Sequence, residues 1–579
     1  MQLTKLTEIL QRIETTTKRH EMTALLADLF RLGPEDVHIL PYLLQGRLGP
    51  PYAAPDLGMD ERRIAESIAA ATATSLDEAW RLFKQRGDLG LVAELLLPPR
   101  GQPVSVQEAY QQLRRIATTT GPGALEKKVE LLRDLLRRLG GPEARYLVRI
   151  AQGRLRLGVG DATIMDALSV ARVGNTSLRP RIERAYSICS DLGLVAQILF
   201  AEGPDALDRI HPAPGRPVLS ALAERLPSPE EVVRKLGPVI AEPKYDGLRL
   251  QAHRDGDRVW LFTRRLEDVT HAFPDITEAV HRQVGARQAI LDGEAVGYHP
   301  KTGRFLPFQE TVRRRRKYGV EEMEVLYPLR YYVFDLLYRD GQNLTPLPLR
   351  ERLRQLREVV REVEGGPIFI TPQLETSDPK ELQRFFDEMV AKGLEGVLVK
   401  RPDAPYHAGA RRFNWVKLKR AYQTTLADTF DVVVVGYYRG RGKRAKLGIG
   451  SLLCAVYDPE HDRFRTVTRV GSGLTDEEWV QLREMLDAVR VPTKPQRVDS
   501  RMIPEPDVWV EPKHVIEVIA GEITRSPRHT CGKVGKEPGY ALRFPRMLRF
   551  RFDLRPEDAT TEAEVLELYR LRAQPAKAA

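Results

Sequence analysis

The segment Glu242-Pro243-Lys244-Tyr245-Asp246-Gly247-Leu248-Arg249 sets a lysine between a proline and an Asp-Gly pair. Such a lysine can serve as a fixed amine nucleophile. It must be neutral to attack, which requires desolvation or nearby positive charge. Read by itself the string is equally a surface β-turn. Downstream, in chain order, lie Phe262-Thr263-Arg264-Arg265, Leu291-Asp292-Gly293-Glu294, Tyr332-Val333-Phe334-Asp335, Glu395-Gly396-Val397-Leu398-Val399-Lys400 and Trp415-Val416-Lys417-Leu418-Lys419. Each of these could be an ordinary strand or turn, and Phe334 alone reads as core.

Taken together, the six strings resemble, in order and in approximate spacing, the motifs of the covalent nucleotidyltransferases: DNA ligases, RNA ligases and mRNA capping enzymes. The resemblance implies that Lys244 attacks the α-phosphorus of ATP, releases pyrophosphate and holds AMP as a phosphoramidate. It implies Glu242 as reader of the adenine amino group and Phe334 as the ring that stacks on the base. Arg249 and Arg264 match positions at ribose or phosphate, Arg411 an arginine at the nucleotide, and Lys417 and Lys419 the phosphate-binding lysines. Glu294 is expected near ribose and metal, and Glu395 at metal. Every reacting group is a polyanion, so cationic side chains and a divalent ion, Mg²⁺ or Mn²⁺, are expected to offset developing charge. Asp246 is a secondary candidate.

Tyr42-Leu-Leu-Gln45-Gly46-Arg47 and Gly153-Arg154-Leu-Arg156-Leu-Gly158-Val-Gly160-Asp161 resemble the helical DNA-binding domain of ATP-dependent DNA ligases of the archaeal and eukaryotic type. The stretches Gly158–Thr163 and Thr118–Gly123 each read as a turn feeding a helix, whose free N–H groups suit a phosphate. Read alone, either is a helix cap. Leu542-Arg543-Phe544-Pro545-Arg546 and Pro556-Glu-Asp-Ala-Thr560-Thr561 resemble the closing motif of the ligases' oligonucleotide-binding barrel, which makes Arg543 and Arg546 further candidates. Two positions depart from the family pattern. Arg264-Arg265 stands where Arg-Asn is usual, and Leu554 ends a motif that usually ends in lysine. Arg555 or another cation is expected to replace that lysine.

Length and texture fit three parts. Residues 1–212 read as an all-α DNA-binding domain, with Leu131, Leu132, Leu135, Leu136 and Leu139 at helical spacing and Gly140-Gly141-Pro142 as a stop. The Pro/Gly-rich passage 211–231 reads as a linker. Residues 213–422 read as an α+β adenylation (nucleotidyltransferase) domain. Residues 423–579 read as short strands with Gly turns, a β-barrel of OB-fold type, with a frayed tail after 572. The net charge of +11, from 90 Lys+Arg against 79 Asp+Glu, favours an anionic partner. The runs Arg313–Lys317 and Arg439–Lys446 are expected to be solvated or to touch DNA phosphates.

Three separated cysteines exclude a disulfide scaffold and a four-Cys zinc site, and the latter disfavours the NAD-dependent ligases. No apolar run reaches a membrane span. The expectation is therefore a cytoplasmic, nucleoid-associated prokaryotic monomer that seals nicked duplex DNA in replication, repair and recombination. A sliding clamp is a further partner without a clear motif, since Gln383-Arg-Phe385-Phe386 has the wrong spacing and His529 with Cys531 makes no metal site. The alternatives are an RNA ligase or capping-type enzyme, and a catalytically inactive DNA-binding scaffold.

Overall fold

From Leu3–Glu14 to Leu192–Glu202 the chain is a succession of α-helices joined by short turns. The structure is a computed structural model. It describes residues 1–573 apart from 17, 154, 307, 316–318, 420–427, 441–446 and 536, and apart from the side chains of 308, 309, 411, 428 and 571–573. Helix Val106–Thr118 shows why these sequences coil. Ser105 caps its N-terminus by accepting from the Glu108 N–H, and Ala109, Leu113, Ile116 and Ala117 form the buried stripe. The leucine-rich block forms helix Ala124–Leu136. Gly140-Gly141-Pro142 was expected only to stop that helix. Instead, Gly140 caps the next one, Gly141–Ala151, and Pro142 sits in its first turn, where a missing N–H costs nothing.

The central region holds two sheets. One runs in the order Leu222–Arg225, Arg411–Lys419, Gly396–Lys400, Val239–Pro243, Leu374–Thr376. The other runs Arg258–Thr263, Leu248–Asp255, Gln288–Gly297, Leu329–Arg339, Gln342–Asn343, with Ile368–Ile370 beside Leu329–Arg339. The chain crosses from the first sheet to the second between Pro243 and Leu248, so the Lys244–Gly247 turn sits where the sheets face each other. Gly247 is required there, because a Cβ would lie 2.3 Å from the Ala295 carbonyl oxygen.

The passage 211–231 is not a free linker. Leu222–Arg225 is a strand of the first sheet, parallel to Arg411–Lys419, and Pro229 opens helix Pro229–Leu236. Just before it, the Leu219 N–H donates to the Ser187 carbonyl at 2.8 Å and the Ser190 hydroxyl to the Pro217 carbonyl at 2.7 Å. Prolines that read as punctuation are compatible with edge strands and first helical turns.

In the C-terminal region Asp428–Tyr438 pairs with both Ser451–Asp458 and Val515–Ala520, and Val515–Ala520 carries Arg546–Phe550 on its other side. Helix Asp476–Asp487 begins with a capping box of Thr475 and Glu478. The described pairings give an open order ending in the two-residue strands Arg490–Val491 and Val498–Asp499. These are curled sheets, and no described pairing closes them into the expected barrel. The tail 574–579 lies outside the described residues. No described helix is long and apolar enough to cross a membrane. All three cysteines are buried and unpaired.

Candidate active site

Strand register assembles the site. Leu248–Asp255 pairs with Gln288–Gly297 so that Arg249 lies opposite Glu294 and Gln251 opposite Asp292. Leu329–Arg339 then sets Asp335 opposite Asp292. These strands face the first sheet across a cavity of about 160 Å³. Of the expected residues, Glu242, Lys244, Asp246, Arg249, Arg264, Glu294, Phe334, Lys417 and Lys419 all line it.

Lys244 Nζ is 2.5 Å from Glu395 Oε2, and Lys419 Nζ is 3.1 Å from the same oxygen. The other Glu395 oxygen accepts from Arg549 at 3.1 Å. Burial alone would raise the Glu395 carboxyl, but Lys244, Lys419 and Arg549 outweigh it and hold the group well below the usual carboxylate range. Lys419 therefore does not sit on a solvated strand face. Glu294 is the opposite case. It makes no ion pair among the described residues, and burial pushes its carboxyl up to about 8 against partial relief from Lys244 and Arg249.

Arg249 was expected at ribose or phosphate. Here its guanidinium is committed to Asp292, at 3.0 Å and 2.6 Å, and to the Ala221 carbonyl at 3.1 Å. Tyr406 completes this group by donating to Asp292 at 2.8 Å. Phe334 and Trp415 flank the guanidinium with ring centroids at 5.3 Å and 5.4 Å, and Phe334 belongs to the hydrophobic core while also forming part of the cavity wall. Arg264 Nε lies 3.7 Å from Asp558 Oδ2. Arg411 has its backbone in strand Arg411–Lys419, opposite Leu222, but its side chain lies outside the described residues.

Several contributors were not singled out in the sequence. Arg549, Arg551, Asp553 and Asp431 line the cavity from the C-terminal region. Arg549 donates to Asp246 at 2.5 Å and to Glu517 at 2.6 Å, and Arg551 to Asp431 at 2.8 Å. Arg551 and Asp553 stand inside the closing motif, so their types were visible. Asp431 carried no signal, being one aspartate in an ordinary strand.

Other expectations are corrected. Arg543 and Arg546 are exposed and do not reach the cavity, because they flank a turn at the far end of the strands that carry Arg549. Arg555 does not line the cavity either. Its guanidinium is held by Asp558 at 3.1 Å through both Nε and Nη2, while Leu554 is buried in the core. Arg549 and Arg551 are the cations present at that side. Arg265 occupies the usual asparagine position and donates to the carbonyls of Lys513 at 3.0 Å and Phe552 at 3.3 Å, tying the central region to the C-terminal one.

The surface expectations divide. Arg314 is fully buried, paired with Asp275 at 2.5 Å, and Arg315 pairs with Glu267 at 2.8 Å. Neither is free for an external phosphate in this arrangement. Residues 316–317 and 441–446 of the two basic runs lie outside the described residues. Phe386 is packed in the core and Phe385 packs against it, so the clamp-like string does not present its aromatic pair to a partner. At the N-terminus of helix Asp161–Val173 the expected anion is present as a side chain. Thr163 donates to Asp462 of the C-terminal region at 3.0 Å, and a Cβ on Gly160 would lie 2.5 Å from that carboxylate. Thr118–Gly123 forms the predicted turn into helix Ala124–Leu136, with Gly123 at φ 74° as its cap.

No group of three or more His, Cys, Asp or Glu suited to a metal occurs among the described residues. A Mg²⁺-like ion needs less. One or two carboxylates plus substrate phosphates suffice, and the half-buried Glu294, which lines the cavity and makes no ion pair among the described residues, fits that donor set.

Three family models match: the DNA ligase N terminus over residues 2–169, the ATP-dependent DNA ligase domain over 220–419, and the ATP-dependent DNA ligase C-terminal region over 445–554. The chain is 48% identical to a probable DNA ligase of Dictyoglomus turgidum, across 98% of this chain and 97% of that one. It is 44% identical to DNA ligase 2 of Thermofilum pendens, across 99% and 98%. It is 42% identical to a DNA ligase of Staphylothermus marinus, across 98% and 99%.

Proposed function

The chain belongs to the ATP-dependent DNA ligases, and from that membership we propose how its own residues divide the work of sealing a nick. The observation that carries the assignment is Lys244 at the mouth of the cavity, 2.5 Å from the Glu395 carboxylate. The Lys244 amine attacks the α-phosphorus of ATP. An N–P bond forms, the bond to pyrophosphate breaks, and the amine proton is lost to solvent while the Glu395 carboxylate holds the amine in place. AMP is then transferred from Lys244 to the 5′-phosphate of the nick. The 3′-hydroxyl attacks that phosphate, closing the strand and releasing AMP.

Phe334 supplies the face for the base and Glu242 the acceptor for its amino group. Lys417, Lys419, Arg264, Arg549 and Arg551 offset the phosphate charge, while Arg249 orients the ribose side through Asp292. A divalent ion, Mg²⁺ or Mn²⁺, held by Glu294 and Glu395 with phosphate oxygens, would neutralise charge on the triphosphate. Glu395 can take that role only when Lys244 is no longer paired to it, so the two roles alternate. Arg411, Asp246, Arg543 and Arg546 are assigned lesser parts, the last two at the DNA backbone.

The regions act as a helical DNA-binding domain (1–212), an adenylation domain (213–422) and an OB-type domain (423–579). The protein works as a monomer in the cytoplasm, at the nucleoid, with a sliding clamp as a further partner. Incubation with α-labelled ATP and a divalent metal should place an acid-labile label on Lys244. Lys244→Ala should lose the label and all ATP-driven sealing; retained sealing would refute the mechanism. Faster sealing of nicked RNA than nicked DNA would favour the RNA-ligase alternative instead.

A further inference from the structure

Lys400 and Gln373 lie outside the cavity wall, yet both end on the residue that is to read the base. Strand Gly396–Lys400 pairs antiparallel with Val239–Pro243, with Leu398 opposite Glu242 and Lys400 opposite Ile240. Lys400 and Glu242 are thus diagonal neighbours on one face of the sheet. Lys400 Nζ is 2.6 Å from Glu242 Oε2, and both side chains are buried, at 0% and 1% exposure. Gln373 Nε2 donates to the other oxygen, Oε1, at 3.0 Å. The amide of Gln373 is itself oriented, because its own oxygen accepts from Arg357 at 2.6 Å.

The same ammonium reaches the base-stacking wall. It donates to the Phe334 carbonyl at 3.4 Å and lies 4.5 Å and 4.3 Å from the ring centroids of Phe334 and Trp415. One cation therefore braces both the edge reader and the stacking ring from behind. Stability does not explain such a pair, since desolvating two charges offsets much of their attraction.

We propose that Lys400, assisted by Gln373, is a positioning residue for base choice: it keeps Glu242 an acceptor-only carboxylate, which selects a base with an exocyclic amine over one with a carbonyl at that position. This rests on the roles of Glu242 and Lys244 given above. Each Glu242 oxygen spends one acceptor site on the protein and keeps another for the base. Adenine meets it with an N–H donor. Hypoxanthine presents an oxygen there, so two acceptors would face each other, buried and unpaired.

Burial leaves the Glu242 carboxyl raised above its ordinary range, and Lys400, then Gln373, offset part of that rise. The other charged and titratable groups near it do not substitute. Asp335 pushes the carboxyl further up, and it is itself held by Arg352 at 2.7 Å and 2.9 Å. Tyr245 remains a neutral phenol, its hydroxyl raised by burial. Without Lys400, Glu242 gains a proton, becomes a donor and can accept the wrong base.

The test compares nucleotide transfer to Lys244 from α-labelled ATP and α-labelled ITP, between pH 6 and 9, in the full-length wild type, Lys400→Met, Lys400→Arg and Gln373→Met. The wild type should favour ATP in kcat/KM by about a hundredfold or more, as expected where a buried hydrogen-bonding group is mismatched. In Lys400→Met that preference should fall at least about tenfold near neutral pH, through a gain for ITP over ATP, and return as pH rises. Lys400→Arg, which keeps the cation, should hold the preference within about threefold of wild type. If Lys400→Met does not fold, Gln373→Met carries the test with a smaller fall in the same direction.

A preference unchanged in both Met variants, or lost equally in Lys400→Arg, would overturn the proposal while leaving Lys244 as the nucleophile. A wild type labelled by neither nucleotide would instead overturn the reading of the site itself, and this inference with it.

Discussion

Glu395 and Glu294 are two glutamates facing one cavity with opposite titration behaviour, and the difference is entirely one of neighbours. Glu395 is surrounded by Lys244, Lys419 and Arg549, so it stays ionised and is suited to hold the Lys244 amine in place as a charge partner. Glu294 has burial without a paired cation, and its carboxyl is raised to about 8 from an ordinary 4.5. The folded protein therefore binds an extra proton between those values. Its stabilising contribution is full below about pH 4.5 and is lost as pH rises through about 8. Metal-free protein should lose up to about 1.4 kcal/mol of stability per pH unit in that window from this group. Glu294→Gln should flatten the slope in denaturant unfolding measured from pH 5 to 9, and an unchanged slope would remove Glu294 as its source. That these glutamates and lysines would be brought together was legible from motif order. How they pair was not, because Lys244, Glu395 and Arg549 are far apart in the chain and their contacts depend on three separate elements.

At the scale of elements, the period-two alternation of strands explains most of the correct reading. In Leu248–Asp255 and Gln288–Gly297 it aims Arg249 and Glu294 at the cavity without any further information. The same rule failed at Leu222–Arg225, which is too short and too proline-flanked to register as a strand, although its Arg225 reaches across to donate to the Thr429 carbonyl at 2.7 Å. It also failed to show that Arg546–Phe550 runs beside Val515–Ala520 and so brings Arg549 and Arg551 to the cavity. Those arginines act only while the C-terminal region is docked. Arg551→Ala should slow self-adenylation by about a hundredfold, the scale seen when a preorganised charge partner is removed. It should leave sealing of a pre-adenylated nick much less affected. Equal loss in both assays would show that Arg551 serves every step alike.

Across the whole molecule, the N-terminal helices, the central sheets and the C-terminal strands meet around a large cleft of about 1070 Å³ lined by all three regions. Several contacts tie the outer two regions. Arg19 donates to the Glu460 carbonyl at 2.6 Å, Thr163 to Asp462 at 3.0 Å, and Gln496 to the Glu14 carbonyl at 3.2 Å. The Arg19 and Gln496 contacts are exposed or half-buried and contribute little individually, so the buried Thr163–Asp462 bond is the main one of the three to break if the arrangement opens for duplex DNA. Arg19→Ala with Thr163→Val removes two of these three contacts from the N-terminal side and leaves the C-terminal pairs of Asp462 intact. The double variant should show a larger radius of gyration by small-angle scattering while its self-adenylation stays within about threefold, given how little such contacts contribute. An unchanged radius would mean that other contacts hold the regions together. The sequence by itself determined the family chemistry, the three-part order and the inventory of candidate residues, because motif order and side-chain type are local properties of the chain. Only the tertiary structure decided that Arg549 and Arg551 line the cavity beside Lys244, that Arg314 is buried, and that Asp462 sits at a helix terminus expected to hold a phosphate. Each of those depends on segments distant in sequence being brought within hydrogen-bonding distance, and no pattern along one segment records its partner's position.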